Sequence, residues 1–391
     1  MRLQEANEIV LVSSGHPALD HRVFDKEAMT LAAHFPHVRV VAAHPADEVR
    51  GLVQITALTP TRSRLKRFLW RPLQCFLAAR GPGARLLILQ DAELLIWVPL
   101  VKLLTGWRIV YDVHEDFPQL LLRRTWIPLP VRRALSPAIG ALEKVLARCC
   151  DGITGATSVL VDYFAPRPRV ALYNLPSVEF VNAASETARP LDEREFDVVH
   201  LGTLSDERLE FLMEVLDALF ARRPAARALV LGVQAEQMRR LQGRYASAHV
   251  TAIEKVDYEQ IAGYLGNCRI GIDVHPILYP HLRCAVPVKV FEYMASGCNV
   301  ITSYLPELHR VLGDEGAEHI STIFTMSAEA FADDSIRLLD DHAALHRHQT
   351  ALLGMVRTRW NWEHEAEKMV QFITRIRQGK EIISREQVLD H

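Results

Sequence analysis

Two α/β domains, each built on a parallel sheet in the Rossmann-like manner, are what this 391-residue chain predicts. Three observations carry that expectation. The chain is too long for one ordinary core. Short Val-, Ile- and Leu-rich runs alternate with longer amphipathic segments in two successive series. A polar, alanine-rich stretch separates the series.

The first series puts strands at 8–13, 38–43, 86–90, 108–112 and 152–154, with helical periodicity over 22–35 and 131–148. The second puts strands at 197–201, 227–231, 249–253, 269–274 and 299–303. Its helices fall at 208–221, 234–245, 257–266 and 287–296. Asn182 to Glu195, with Pro190 inside, has the composition of a linker. The expected layout is a first domain over 1–181, a linker over 182–195, a second domain over 196–362 and a closing helical segment over 363–391. In such sheets ligands sit beyond the carboxyl ends of the strands. Polar residues gather at those ends in both halves.

Charge divides along the same line. Through residue 190 there are 23 Lys+Arg against 17 Asp+Glu, a balance of +6, whereas the remainder has 22 against 30, a balance of −8. Halves of opposite sign point to different partners. The cysteines, Cys75, Cys149, Cys150, Cys268, Cys284 and Cys298, form no Cys-x-x-Cys pair, so neither a zinc site nor a redox motif is expected. Scattered thiols suit a reduced, cytoplasmic setting. The N-terminus runs into Ile9–Val12 without a signal-peptide layout. The lipophilic run Leu94–Leu104 is broken by Lys102 and is too short to span a bilayer.

The most informative segment is Pro287-Val-Lys-Val-Phe-Glu-Tyr-Met-Ala-Ser-Gly297. Pro287 suits the start of a helix and Gly297 the residue past its end. Lys289 and Glu292 fall three apart on one face, with Val290, Phe291 and Met294 on the buried side. The helix N-terminus favours an anion, and Lys289 adds a point charge for a diphosphate. Glu292 can accept hydrogen bonds from both hydroxyls of a ribose. Upstream, Gly202 follows a strand and permits close backbone approach to phosphates, and Arg208 opens the next helix within their reach. A solvated Lys–Glu pair and an exposed helix-start arginine are the plain alternatives.

In the first half Gly15 permits a tight turn after the first strand, and Asp20 suits a helix N-cap. His114 lies just past the end of strand 108–112, followed by Glu115 and Asp116, which can orient it or bind ligand hydroxyls.

The Pro287–Gly297 segment resembles the signature of glycosyltransferase family 4, retaining enzymes of the GT-B fold, in which two Rossmann-like domains face each other across a cleft. Members commonly carry Pro-x-Lys-x-Phe-Glu-Tyr-Met-Ala-x-Gly, and every fixed position matches. The resemblance implies that Glu292 holds the donor ribose and Lys289 the diphosphate. Many members have an earlier glutamate where this chain has Cys284. The turn Gly202-Thr-Leu-Ser-Asp-Glu-Arg208 is similar to the family's glycine turn leading to a basic residue, with Thr203 and Leu209 departing from the usual residues. Asp20-His-Arg22-Val-Phe24-Asp-Lys26-Glu27-Ala28 and Tyr111-Asp112-Val113-His114-Glu115-Asp116 resemble one branch of the family. There a histidine at the second motif contacts the transferred sugar, which assigns that role to His114. Trp360-Asn-Trp362-Glu363 is similar to an element opening the final helix, which in this fold returns to the first domain. The tryptophans read as packing anchors.

The resemblance implies transfer of a sugar from a nucleotide diphosphate donor to an acceptor hydroxyl with retention. Lys289, Arg208 and helix N-termini would stabilise the leaving group, with no cofactor and no metal. No Asp-x-Asp motif is present. The expected setting is cell-envelope polysaccharide or glycolipid synthesis, with a glycan or lipid-linked acceptor. A nucleotide-sugar epimerase of the same fold and a non-catalytic nucleotide-sugar binding module are the competing readings. Neither first turn carries Gly-x-Gly-x-x-Gly, which argues against a dehydrogenase.

From Gly51 through Gln90 there is no acid, while Arg62, Arg64, Lys66, Arg67, Arg71, Arg80 and Arg85 are basic and apolar residues interleave. Such a stretch either lies on an anionic membrane surface or packs its apolar stripe on the sheet. The first option would seat a cytoplasmic enzyme on the inner face of the membrane. No nucleic-acid recognition motif accompanies the charge.

Overall fold

The structure is a computed structural model describing residues 8–59, 70–81, 84–124, 126–275 and 279–379. The chain forms two compact units, one of Met1–Asn174 with Glu365–His391 and the other of Leu175–His364.

In the first unit, β1 (Glu8–Pro17), β2 (Val38–Ala43), β3 (Glu48–Arg50), β4 (Val53–Leu58), β5 (Ala84–Leu89), β6 (Arg108–Val113), β7 (Gly152–Gly155) and β8 (Arg169–Ala171) make one sheet. Its order is β3-β4-β2-β1-β5-β6-β7-β8, and only the β3–β4 pair is antiparallel. The central strands are buried on both faces, which is why Ile9–Val12 and Leu86–Leu89 are continuous apolar runs rather than alternating ones. The first crossover begins as a π-helix, His21–Ala28, capped by the Asp20 carboxylate, which accepts from the backbone N–H of Arg22 (3.0 Å) and Val23 (3.1 Å). It continues as the Met29–His34 helix.

The second unit holds β9 (Phe196–Leu201), β10 (Ala228–Leu231), β11 (Val250–Ile253), β12 (Cys268–Asp273), β13 (Asn299–Ser303) and β14 (Ser321–Ile323). All pairs are parallel, in the order β11-β10-β9-β12-β13-β14. This is the doubly wound order, with its switch point between β9 and β12. Leu209, Leu212, Leu216 and Leu219 of the Asp206–Arg222 helix are buried in the core beneath it. Phe211 meets Phe331 edge to face, with ring centroids 5.9 Å apart. Trp360 and Trp362 are buried, and Trp360 packs edge to face on Phe291.

The structure differs from the sequence reading between the domains. Residues 182–195 are not a free linker. Val178–Thr187 is a helix burying Phe180, Val181 and Ala184, and Leu191–Glu193 is a 3-10 turn, all within the second unit. Alanine is the best helix former as well as a common linker residue, so composition did not discriminate. Arg194, at the end of this stretch, is buried and donates to the carbonyls of Cys268 (2.7 Å), Gly297 (2.7 Å) and Ser296 (3.1 Å). It thereby satisfies carbonyls at the end of the Val288–Ala295 helix and places a cation at that helix's negative pole. Strands β3, β4, β8 and β14 also went unread. Three of them are only three residues long, and β4 follows the Gly51 turn, whose φ is 60°.

Gly271 in β12 leaves room for the Tyr293 ring. A Cβ there would come within 2.2 Å of the Tyr293 ring, which lies across the strand. The Tyr293 hydroxyl accepts from the Leu201 N–H (2.8 Å) and donates to the Ile272 carbonyl (3.3 Å), tying β9 to β12 at the switch point. Gly271→Ala is expected to lower unfolding free energy by about 1–3 kcal/mol through overpacking. Urea denaturation checks this, and an unchanged midpoint would mean the ring is not held there.

Candidate active site

At the switch point of the second unit, β9 ends at Leu201 and Gly202 follows with φ 98°, a backbone that favours glycine. Gly232, with φ 81°, follows β10. A Cβ on Gly232 would lie 3.2 Å from the Gly202 Cα, and a Cβ on Gly202 would lie 3.7 Å from the Lys289 Nζ. The two glycines therefore let backbone and the lysine tip converge on one point. Lys289 reaches it from the first turn of the Val288–Ala295 helix.

Asp273, the last residue of β12, organises the charges there. Its fully buried carboxylate faces Lys289 Nζ (3.4 Å) and accepts from Arg208 Nη2 (3.3 Å) and His275 Nε2 (3.1 Å). Arg208 also donates its Nε–H to the Val274 carbonyl (2.8 Å). Burial alone would push the Asp273 carboxyl up, but His275, Lys289 and Arg208 together hold it well below the usual carboxylate range. Burial pulls Lys289 below the ordinary lysine value, and Asp273 opposes that shift. His200, also buried, donates Nδ1–H to the Ile272 carbonyl (2.9 Å). Burial first, then Lys289 and Arg208, holds it well below the ordinary histidine value, and among the described residues its Nε2 has no hydrogen-bond partner. Glu292 lies buried one turn along the lysine's helix. The arrangement is a cationic pair held at a strand-end edge by one internal carboxylate. An incoming polyanion can share those cations.

The first unit has a different polar centre at the carboxyl ends of β1, β5 and β6. His114 donates Nε2–H toward Asp112 Oδ2 (2.9 Å) and Gln90 Oε1 (2.6 Å). Gln90 Nε2 donates to Glu27 (3.0 Å), Arg22 Nε donates to Glu27 (3.0 Å), and Arg22 Nη2 donates to Asp112 (3.3 Å), closing a ring of five side chains. Thr154 adds a 2.6 Å bond to the other Asp112 oxygen. Burial and the nearby Asp112 push Glu27 up to about 8, while Arg22 and His114 overcome burial to hold Asp112 low. With Nε2–H committed to Asp112 and Gln90, Nδ1 is the ring nitrogen that this network does not engage. The ring stacks on His16 at 4.9 Å. Ligand-type atoms of Glu27, Asp112 and His114 lie within 4.8 Å of one another, and Arg22 already bridges both carboxyl groups.

Beside this ring, the carboxyl-terminal part of β1 wraps a second buried carboxylate. Asp91 Oδ2 accepts from Ser13 Oγ (2.7 Å) and from the backbone N–H of Ser14 (2.8 Å) and Gly15 (3.1 Å). Backbone amides that hold a phosphate in a nucleotide-binding turn are thus occupied by a side chain. Of the residues singled out in the first half, Gly15 lies within β1, which runs on to Pro17, rather than in a turn after it; Asp20 caps the first crossover and Glu115 is exposed. Asp116 accepts from the Gln119 N–H as an N-cap. Arg22 does not pair with Asp20. It turns inward to Glu27 and Asp112, because Asp20 is spent on the helix N-terminus.

Asp273, His275, His200 and Gly232 in the second unit escaped sequence reading, as did Gln90, Asp91, Asp112 and Glu27 in the first. Strand-end position was the available signal for all of these but Glu27, which lies in the first crossover helix. Of the basic stretch, Arg62, Arg64, Lys66 and Arg67 lie outside the described residues. Arg71 is buried and bonds the Thr59 carbonyl (2.7 Å).

Residues 195–341 match the family model described as glycosyl transferases group 1. No curated protein matches the chain. Among solved structures it is similar to sucrose-phosphate synthase from Thermosynechococcus elongatus, with 18% identity, a TM-score of 0.72, and 96% of this chain and 100% of that one covered. It is also similar to α,α-trehalose 6-phosphate synthase from Burkholderia multivorans, with 13% identity, a TM-score of 0.69 and coverage of 96% and 99%. Anabaena HepE, solved in complex with UDP and glucose, matches with 12% identity, a TM-score of 0.65 and coverage of 94% and 99%. The chain has the two-domain α/β fold of these GT-B proteins. The match of residues 195–341 to that family model supports glycosyltransferase activity.

Proposed function

We propose that this chain is a retaining glycosyltransferase that moves a sugar from a nucleotide diphosphate sugar to an acceptor hydroxyl, without a metal. The observation that carries the reading is the convergence of Gly202, Lys289 and Arg208 on the β9–β12 switch point, within the residues the family model matches. Lys289 and Arg208 take the donor's diphosphate and stabilise its charge as it leaves. Asp273 holds both cations in place before the donor arrives. Glu292 accepts from the donor ribose hydroxyls. In the first unit Asp91 occupies the backbone amides of Ser14 and Gly15, which suits an acceptor-side role, with His114 contacting the transferred sugar. The acceptor is a glycan or a lipid-linked glycan of the cell envelope, and contact of Arg62–Arg85 with anionic lipid belongs to this reading.

Glu292→Gln tests the donor assignment. Losing a charged acceptor is expected to weaken nucleoside diphosphate binding by about 1.5–3 kcal/mol, with the melting temperature preserved. Calorimetric titration of UDP, GDP and ADP measures it, and equal affinity in both proteins would remove Glu292 from the site.

A further inference from the structure

The Leu129–Ala147 helix of the first unit is amphipathic the wrong way round. Its inward stripe is Ser136, Gly140, Glu143 and Ala147. Ser136 donates to the Pro118 carbonyl (2.8 Å), Gly140 packs against Pro118 and Tyr163, and Glu143 accepts from the Tyr111 hydroxyl (2.7 Å). Its outward stripe is Val131, Leu135, Ala138, Leu142 and Val145, spaced four, three, four and three residues apart, and all are exposed. The β5–β6 and β6–β7 crossovers run in the same direction, so right-handed connections lay their helices side by side on one face of the sheet. The neighbouring helix, Val98–Thr105, exposes Leu100, Leu103 and Leu104, with Leu103 82% exposed. Trp126, 61% exposed, precedes the inverted helix. Apolar surface gathered this way marks an interaction site.

Charge decides what covers it. Between Asp116 and Glu143 the sequence has no acid and four arginines, Arg123, Arg124, Arg132 and Arg133. Arg123, Arg124 and Arg133 are exposed, and Arg132 donates to the Leu122 carbonyl (2.6 Å). In a two-fold pairing of this face with itself, arginine would meet arginine, and residues 117–142 supply no carboxylate to place between them. An apolar stripe flanked by cations and a tryptophan instead matches the boundary of an anionic lipid leaflet. We propose that this face, formed by Leu129–Ala147 and Val98–Thr105 with Trp126, docks the first unit on an anionic membrane surface. The proposal stands on this face alone and does not require the transferase reading.

Co-sedimentation of the full chain with phosphatidylglycerol or phosphatidylcholine vesicles tests it. Binding to phosphatidylglycerol that weakens with salt, and little to phosphatidylcholine, is expected. Leu135→Glu with Leu142→Glu replaces exposed side chains only and is expected to weaken binding about tenfold or more, with the melting temperature unchanged. Arg124→Glu with Arg133→Glu is expected to do the same, and Arg64→Ala with Lys66→Ala and Arg67→Ala to leave most of it. No binding at low salt, or binding lost only in the last variant, would overturn the proposal. So would a wild-type dimer that becomes a monomer on Leu135→Glu with Leu142→Glu, which would assign the face to a second copy.

Discussion

Lys289→Ala is expected to lower turnover by about 10²–10³-fold, the cost of removing one preorganised charge from a developing anion. The side chain is mostly buried, sits over Gly202 and is 3.4 Å from Asp273. Removing it leaves the Asp273 carboxylate with Arg208 and His275 alone, so the incoming diphosphate faces an anion less well screened. Affinity for the bare nucleoside diphosphate should fall together with turnover, because the ground-state diphosphate already carries most of the charge. Steady-state kinetics with calorimetry separates the two. A loss below about threefold in both would place the diphosphate elsewhere.

His114→Ala is expected to behave differently. It is expected to cost about 10- to 100-fold in turnover, equivalent to about 1.5–3 kcal/mol of one hydrogen bond to the reacting sugar. Binding of the bare nucleoside diphosphate should be unchanged, since the donor cations belong to the other unit. Asp112→Asn is expected to reproduce part of the loss by releasing the Nε2 contact that fixes which nitrogen faces outward. It also unbalances Arg22 and Glu27, so it should lower the melting temperature while His114→Ala leaves it nearly intact. Equal falls in nucleotide affinity and turnover for His114→Ala, with a lower melting temperature, would make the ring a structural support instead.

What could be read from sequence was what sequence stores locally. The Pro287–Gly297 run carries its own helix start, its own stop and its lysine–glutamate spacing, so helix and candidate ligands emerged together. Asp273 does not announce itself. It closes an ordinary apolar strand, and its importance comes from Arg208, His275 and Lys289, which the sheet order brings around it. The ring through Arg22, Glu27, Gln90, Asp112 and His114 is likewise assembled from the first crossover helix and the ends of two strands, although four of its members sit inside motifs already recognised. Arg194 looked like linker because its partners are backbone carbonyls, which no side-chain pattern reveals. The apolar stripe on Leu129–Ala147 was visible as periodicity. Only the structure shows that the stripe points outward.

The central claim is that a nucleotide diphosphate sugar is held at the β9–β12 switch point by Lys289 and Arg208. Calorimetric titration of a panel of UDP-, GDP- and ADP-sugars into the wild type and into Lys289→Ala with Arg208→Ala tests it most directly. The account predicts that at least one donor binds the wild type and that the double variant, still folded, loses that binding at least about 100-fold. A donor bound equally by both proteins, or no binding by the wild type to any member of the panel, would contradict it.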